Sequence, residues 1–152
     1  MNNQDWTTEM NKVICTAINI VTNSEITVNP GVIFDIDNTL IDNNGNVIEQ
    51  TLLFYKYLKM KNINVFFITS RPGIEEGIKY TIEQLESLGI KKGDYESLYF
   101  IKPNKIDVFK FKLDARHSIV NRGFNIILSI GDNLCDIGEY GGEGLLVPVK
   151  QS

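Results

Sequence analysis

Two carboxylates two residues apart, Asp35 and Asp37, end the apolar run in GVIFDIDNTLIDNNG, residues 31–45. Burying an unpaired charge is expensive, so their position calls for a strand end open to water or for a cation. Two other apolar runs pass into polar residues in the same way. NVFFIT (64–69) ends on Thr69 and is followed by Ser70 and Arg71, and NIILSI (125–130) is followed by Gly131, Asp132 and Asn133. Asp136 lies four residues past Asp132, one helical turn on, so both can face one point. Acidic side chains that converge from separate strands need a hard divalent cation, and an oxygen-only ligand set suits Mg²⁺.

The elements that must position these residues can be read from periodicity. Apolar residues from Trp6 to Val21 recur at i, i+3/i+4, predicting a helix over 5–22 with Asp5 or Thr7 as its cap. TVNPG (27–31) then breaks the chain before a core strand at 32–35. DNNGN (42–46) carries a hairpin-type turn signal. Further helices are expected at 50–61, 74–88 and 105–122, the last two stopped by Gly89 and Gly123. Strands are expected at 64–69, 97–102, 125–130 and 144–149, with Pro148 making the last an edge. Alternating strands and helices imply one α/β domain over 1–152: a doubly wound, Rossmann-like parallel sheet with helices on both faces. In such sheets ligands bind beyond the carboxyl ends of the strands, where Asp35, Asp37, Thr69, Ser70, Arg71 and Asp132 all fall.

Composition narrows the function. The chain has 152 residues, 43% hydrophobic and 22% charged, with net charge −4. That gives no basic field for nucleic acid or an anionic membrane, although a local patch can hide inside an acidic total. Cys15 and Cys135 form neither a disulfide framework nor zinc-ligand spacing, which favours a reducing compartment. With no basic leader and no long apolar segment, a cytoplasmic protein is expected.

Together these motifs resemble the haloacid dehalogenase (HAD) superfamily of phosphotransferases over about 32–149. DIDNTL (35–40) is similar to its DxDx[TV] first motif, FFITS (66–70) to the second, and GDNLCD (131–136) to the GDxxxD fourth. FKLDARHSIVNRGFNIILSIGDNLCD (111–136) resembles plant vegetative-storage-type and bacterial acid phosphatases, in which a lysine precedes an arginine by four. Lys112 and Arg116 fill those places, with Lys102, Lys105 and Lys110 as rivals for the lysine. The resemblance implies five parallel strands in the order 3-2-1-4-5. It also implies a Mg²⁺-dependent phosphomonoesterase acting through an aspartyl-phosphate. Asp35 is then the nucleophile and Asp37 the general acid and base. Mg²⁺ is held by Asp35, the Asp37 main chain, Asp132 and Asp136, and the phosphoryl group by Thr69, Ser70, Arg71 and Lys112. Asn133 and Arg116 are further candidates for binding or orientation.

Between Asp37 and Thr69 there is room only for a short flap (42–48) and one helix, and between Thr69 and Lys112 only for a helix and a strand. No separate cap domain fits, so the site is expected to be open unless the N-terminal helix or a second copy covers it. An open site admits small phosphomonoesters, nucleotides or polynucleotide ends. A storage or binding relative with little activity is another outcome. A phospho-accepting receiver domain is not expected, because its accepting Asp follows a later strand. His117 has no partner in sequence, Cys135 reads as a small buried residue, and GEYGGEG (138–144) as a flexible connection following a short helix.

Overall fold

The computed structural model of the chain describes residues 2–25 and 27–150. In chain order the elements are α1 (Asn3–Asn23), β1 (Pro30–Phe34), α2 (Glu49–Met60), β2 (Asn64–Pro72), α3 (Glu75–Ser87) and β3 (Ser97–Ile101). They continue with α4 (Val108–Asn121), β4 (Asn125–Gly131), a 3₁₀ turn (Leu134–Asp136) and β5 (Glu143–Leu146). The strands form one parallel sheet in the order β3-β2-β1-β4-β5, as expected. Moving outward from β1 through β2 to β3, and then back to β4, puts the crossover helices on opposite faces, because such connections are right-handed. Helices α1, α2 and α3 pack against one face through Val32, Phe34, Val65 and Phe67. On the other, Ala115 and Ile119 of α4 cover Ile33, Phe66 and Ile68. Alternation along each strand divides the two cores. Full burial of Phe34, Phe54, Phe66 and Phe67 contributes roughly 1.5–3 kcal/mol for each ring.

Several boundaries differ from the sequence expectation, β1 covering Pro30–Phe34 and β2 running on to Pro72 among them, and three of the differences have a local reason. Helix α1 starts earlier, because the Asn2 side chain, not Asp5 or Thr7, accepts the Asp5 N–H at 2.8 Å. Helix α4 starts at Val108 instead of 105, because the Asp107 carboxylate accepts the Lys110 N–H and caps it. Strand β5 ends at Leu146, so Pro148 lies beyond the edge strand, and its carbonyl accepts the Trp6 indole N–H at 2.9 Å. The 42–46 turn is held by Asp42, whose carboxylate accepts the Asn44 and Asn46 N–H groups, and Ile41 and Val47 bridge as a minimal hairpin. No further domain lies between β1 and β4 among the described residues, so the sheet edge has no cap. Among the described residues no helix is long and apolar enough to cross a membrane.

Candidate active site

Strand β1 ends at Phe34, and the next three residues settle the puzzle of the paired carboxylates. Asp35 is buried and donates its N–H to the Ile130 carbonyl, which ties it between β1 and β4. Ile36 turns into the core, and its carbonyl accepts the N–H groups of Thr39, Leu40 and Ile41. That tight turn, with Asn38 at φ 61°, sends Asp37 outward. Continued alternation would put residues two apart on the same face, so it is the turn that leaves Asp35 enclosed and Asp37 exposed.

Asp35, Asp132 and Asp136 present carboxylate oxygens within 4.8 Å of one another. Into this cluster reaches Lys112 of α4, itself 2% exposed. Its ammonium donates to Asp35 Oδ1 at 2.9 Å, to Asp136 Oδ1 and to the Ile68 carbonyl at 3.0 Å. All three ammonium protons are therefore placed. Lys112 is not the solvated helix lysine that its type suggests, whereas Lys102, Lys105 and Lys110 are exposed. Burial pushes the Asp35 carboxyl up to about 6, against the pull of Lys112 and with help from Asp132. Burial also raises Asp136, as does the nearby Asp35 charge. For Lys112 burial acts downward, but Asp35 and Asp136 outweigh it and hold the ammonium above the ordinary lysine value.

The loop after β4 is built around Asp136. Its Oδ2 accepts the Asn133 N–H at 3.0 Å, and Asn133 rather than Asp132 caps the 3₁₀ turn, which leaves Asp132 half-exposed beside Asp35. A Cβ at position 131 would collide with the Asp136 side chain, which accounts for Gly131. Arg116, buried on α4, donates to the carbonyls of Cys135 and Glu139 at 2.8 Å each. Ser129 Oγ donates to the Gly141 carbonyl, and a Cβ on Gly141 would lie 2.6 Å from that hydroxyl. The glycine-rich stretch is thus clamped to α4 and β4, not a loose connection. Burial raises the Cys135 thiol, consistent with an inert packing role. His117 is exposed and stacks on Tyr140 at 4.3 Å, away from the carboxylates.

In β2, where its pairing with β3 becomes irregular after Thr69, that residue is buried with its Oγ1 accepting the Arg71 N–H, while Ser70 is exposed. Arg71 grips Asp37 with two bonds, Nε to Oδ2 at 2.9 Å and Nη2 to Oδ1 at 2.8 Å. Its Nη1 donates to Thr81 Oγ1 and Gln84 Oε1 of α3. Four of its five N–H groups are engaged, so Asp37 is oriented by Arg71 and lies outside the three-carboxylate cluster. Thr81 and Gln84 escaped sequence analysis. They sit ten and thirteen residues from Arg71 on another element, and only the buried hydroxyl of Thr81 marks their face of α3 as polar.

Residues 43–148 match the family described as HAD superfamily, subfamily IIIB (Acid phosphatase). The chain belongs to that family. The matched segment holds Thr69, Lys112, Asp132 and Asp136 and begins after Asp35 and Asp37. Among relatives, vegetative storage protein 1 of Arabidopsis thaliana is 30% identical over 92 residues, 59% of this chain and 32% of that protein. The chain therefore spans about a third of that relative. The class C acid phosphatase from Bacillus anthracis superposes with a TM-score of 0.70 at 19% identity, covering 90% of this chain and 66% of that one. A chain of the Pnkp1/Rnl/Hen1 complex gives 0.68 at 15% identity, covering 84% and 49%. At these identities both structures share the fold with this HAD chain.

Proposed function

We propose that the chain, acting as one domain, is a Mg²⁺-dependent phosphomonoester hydrolase that works through an aspartyl-phosphate on Asp35. The observation that carries this is the meeting of Asp35, Asp132 and Asp136 within 4.8 Å around the Lys112 ammonium. Three carboxylates and one ammonium leave an excess of negative charge, which fits a divalent cation and would otherwise repel a phosphate. Their oxygens are unevenly free. Both Asp136 oxygens and Asp35 Oδ1 already accept protein donors, Asp35 Oδ2 accepts only a long bond from the Thr39 hydroxyl at 3.4 Å, and Asp132 accepts only from the Asn133 side chain at 3.2 Å. Asp35 and Asp132 have the most freely available oxygens and would hold the cation, with Asp136 and the Asp37 main-chain carbonyl as further candidates. When bound, the cation supplies charge neutralisation between the phosphoryl oxygens and the carboxylates.

The chain's own groups then divide the work. The Asp35 carboxylate attacks phosphorus in line, and the bond from phosphorus to the leaving oxygen breaks as Asp37 donates a proton to that oxygen. Water next attacks phosphorus and gives its proton to Asp37, and the Asp35–phosphorus bond breaks to release inorganic phosphate. Thr69 and Ser70 donate to phosphoryl oxygens, and Lys112 balances the charge that develops on them. Arg71 aligns Asp37 and keeps one N–H for the phosphoryl group. A storage role, suggested by the name of the plant relative, would not need this complete set of groups.

Hydrolysis of a phosphomonoester panel by the purified chain, with Mg²⁺ or with EDTA, tests the proposal. Mg²⁺-dependent release of phosphate is expected. No turnover of any member, or equal turnover in EDTA, would overturn it.

A further inference from the structure

The segment around α4 reverses the charge of the rest of the chain. Residues 97–122 contain Lys102, Lys105, Lys110, Lys112, Arg116 and Arg122, six of the 15 basic residues, but only Asp107 and Asp114 of the 19 acidic ones. Lys112 and Arg116 are buried in the site. Arg122 donates to Ser97 and Tyr99, Lys110 pairs with Asp114 at 3.1 Å, and Asp107 caps α4. Lys102 and Lys105 form no ion pair among the described residues.

Both lysines border a groove of about 390 Å³ between β3 and α4, walled by Tyr99, Ile101, Phe111 and Ala115; the Lys110–Asp114 pair and the capping Asp107 also line it, so Lys102 and Lys105 leave it a net positive charge. That volume is in the range of small-molecule sites and large enough for one nucleoside. Lys102 directly follows Ile101, the last residue of β3, so the lysine end of the groove lies at the carboxyl edge of the sheet, and Phe100 on its border pairs in register with Thr69 of the neighbouring strand. Phe109 stands 63% exposed in the first turn of α4, outside the groove lining and one turn before Lys112, on the side of the helix that faces the active site.

We propose that this groove and its lysine rim bind the leaving group, and that the leaving group is the end of a single-stranded nucleic acid. The proposal rests on the phosphomonoesterase reading above. Unpaired lysines beside flat apolar surface are what a sequence-tolerant strand needs, the ammonium groups meeting phosphodiesters and the rings meeting bases. A mononucleotide would fill the groove but bring no further phosphate to the lysines. The uncapped edge lets a polymer continue past the site. An acidic phosphopeptide would match the lysines yet make little use of Phe109 and the apolar wall.

The test measures binding and turnover separately on the whole chain. Fluorescence anisotropy follows a hydroxyl-ended single-stranded oligomer, which cannot be hydrolysed, and a labelled acidic phosphopeptide of similar length. Turnover compares phenyl phosphate with oligomers phosphorylated at the 5′ or the 3′ end. We expect the oligomer to bind, and one phosphorylated end to exceed phenyl phosphate in kcat/KM by roughly tenfold or more. In the Lys102→Ala/Lys105→Ala double variant that preference should be lost while phenyl phosphate turnover is unchanged. The slope of log affinity against log salt should become shallower by about 1.4, roughly 0.7 for each lysine. Phe109→Ala should weaken oligomer binding by roughly fivefold or more. No oligomer binding at low salt, unchanged affinity and slope in the double variant, or tighter binding of the phosphopeptide would overturn the proposal. Oligomer binding lost in the double variant, combined with no turnover of any substrate, would instead refute the hydrolase and keep the groove as a nucleic-acid site.

Discussion

Replacing Lys112 by Met removes the positive charge from a pocket that holds three carboxylates. Its ammonium makes three bonds, to Asp35, Asp136 and the Ile68 carbonyl, and all of these partners are buried. Methionine fills a similar volume, so the change is mainly electrostatic. Removing one partner of a buried charge pair costs about 3–5 kcal/mol, because the other is left uncompensated. For a chain of this size that corresponds to a melting point lower by roughly 6–20 °C. The deficit should depend on pH in a definite direction. Asp35 titrates at about 6 when folded and at 3.8 in its ordinary state, so the native form binds the proton more tightly. Stability of the metal-free chain therefore falls as pH rises through the window between these values and levels off above it. Losing Lys112 removes a pull that lowers the Asp35 and Asp136 pKa, and the variant should regain stability on acidification. Circular-dichroism melts in EDTA at about pH 5 and about pH 7.5 measure both effects. A deficit below about 1 kcal/mol at the higher pH, or one that is equal at both, would refute the buried-pair account.

Asp35→Asn should abolish phosphate release while the chain still melts cooperatively, and comparable turnover by the pure variant would remove Asp35 as nucleophile. Millimolar Mg²⁺ should raise the wild-type melting point, by roughly 5–10 °C at a hundred times its Kd; an unchanged midpoint together with metal-independent hydrolysis would eliminate the metal site. Arg71→Lys keeps the charge but loses the two-point grip on Asp37, so kcat should drop by roughly ten- to a hundredfold with KM for an aryl phosphate little altered. A raised KM at constant kcat would instead make Arg71 a substrate ligand.

Local patterns in the sequence determined the strands, the helices and their order, because alternation and the 3.6-residue repeat act over a few residues. Joined to the strand-end rule for parallel sheets, they also put Asp35, Thr69 and Asp132 on one edge. The boundaries depended on which side chain reached a free N–H, and Asn2, Asp107 and Asn133 were not distinguishable from neighbouring polar residues until the backbone was in place. Among four lysines within eleven residues, spacing alone could not select one. Helix α4 packs through Ala115 and Ile119, and that rotation turns Lys112 under the sheet edge while leaving Lys110 in solvent. Tertiary structure alone joined Arg71 to Asp37 and to α3. It also decided which lysines of the basic segment 97–122 stay unpaired beside the groove, Lys102 and Lys105, and which are buried or engaged, because local sequence does not show what each ammonium meets.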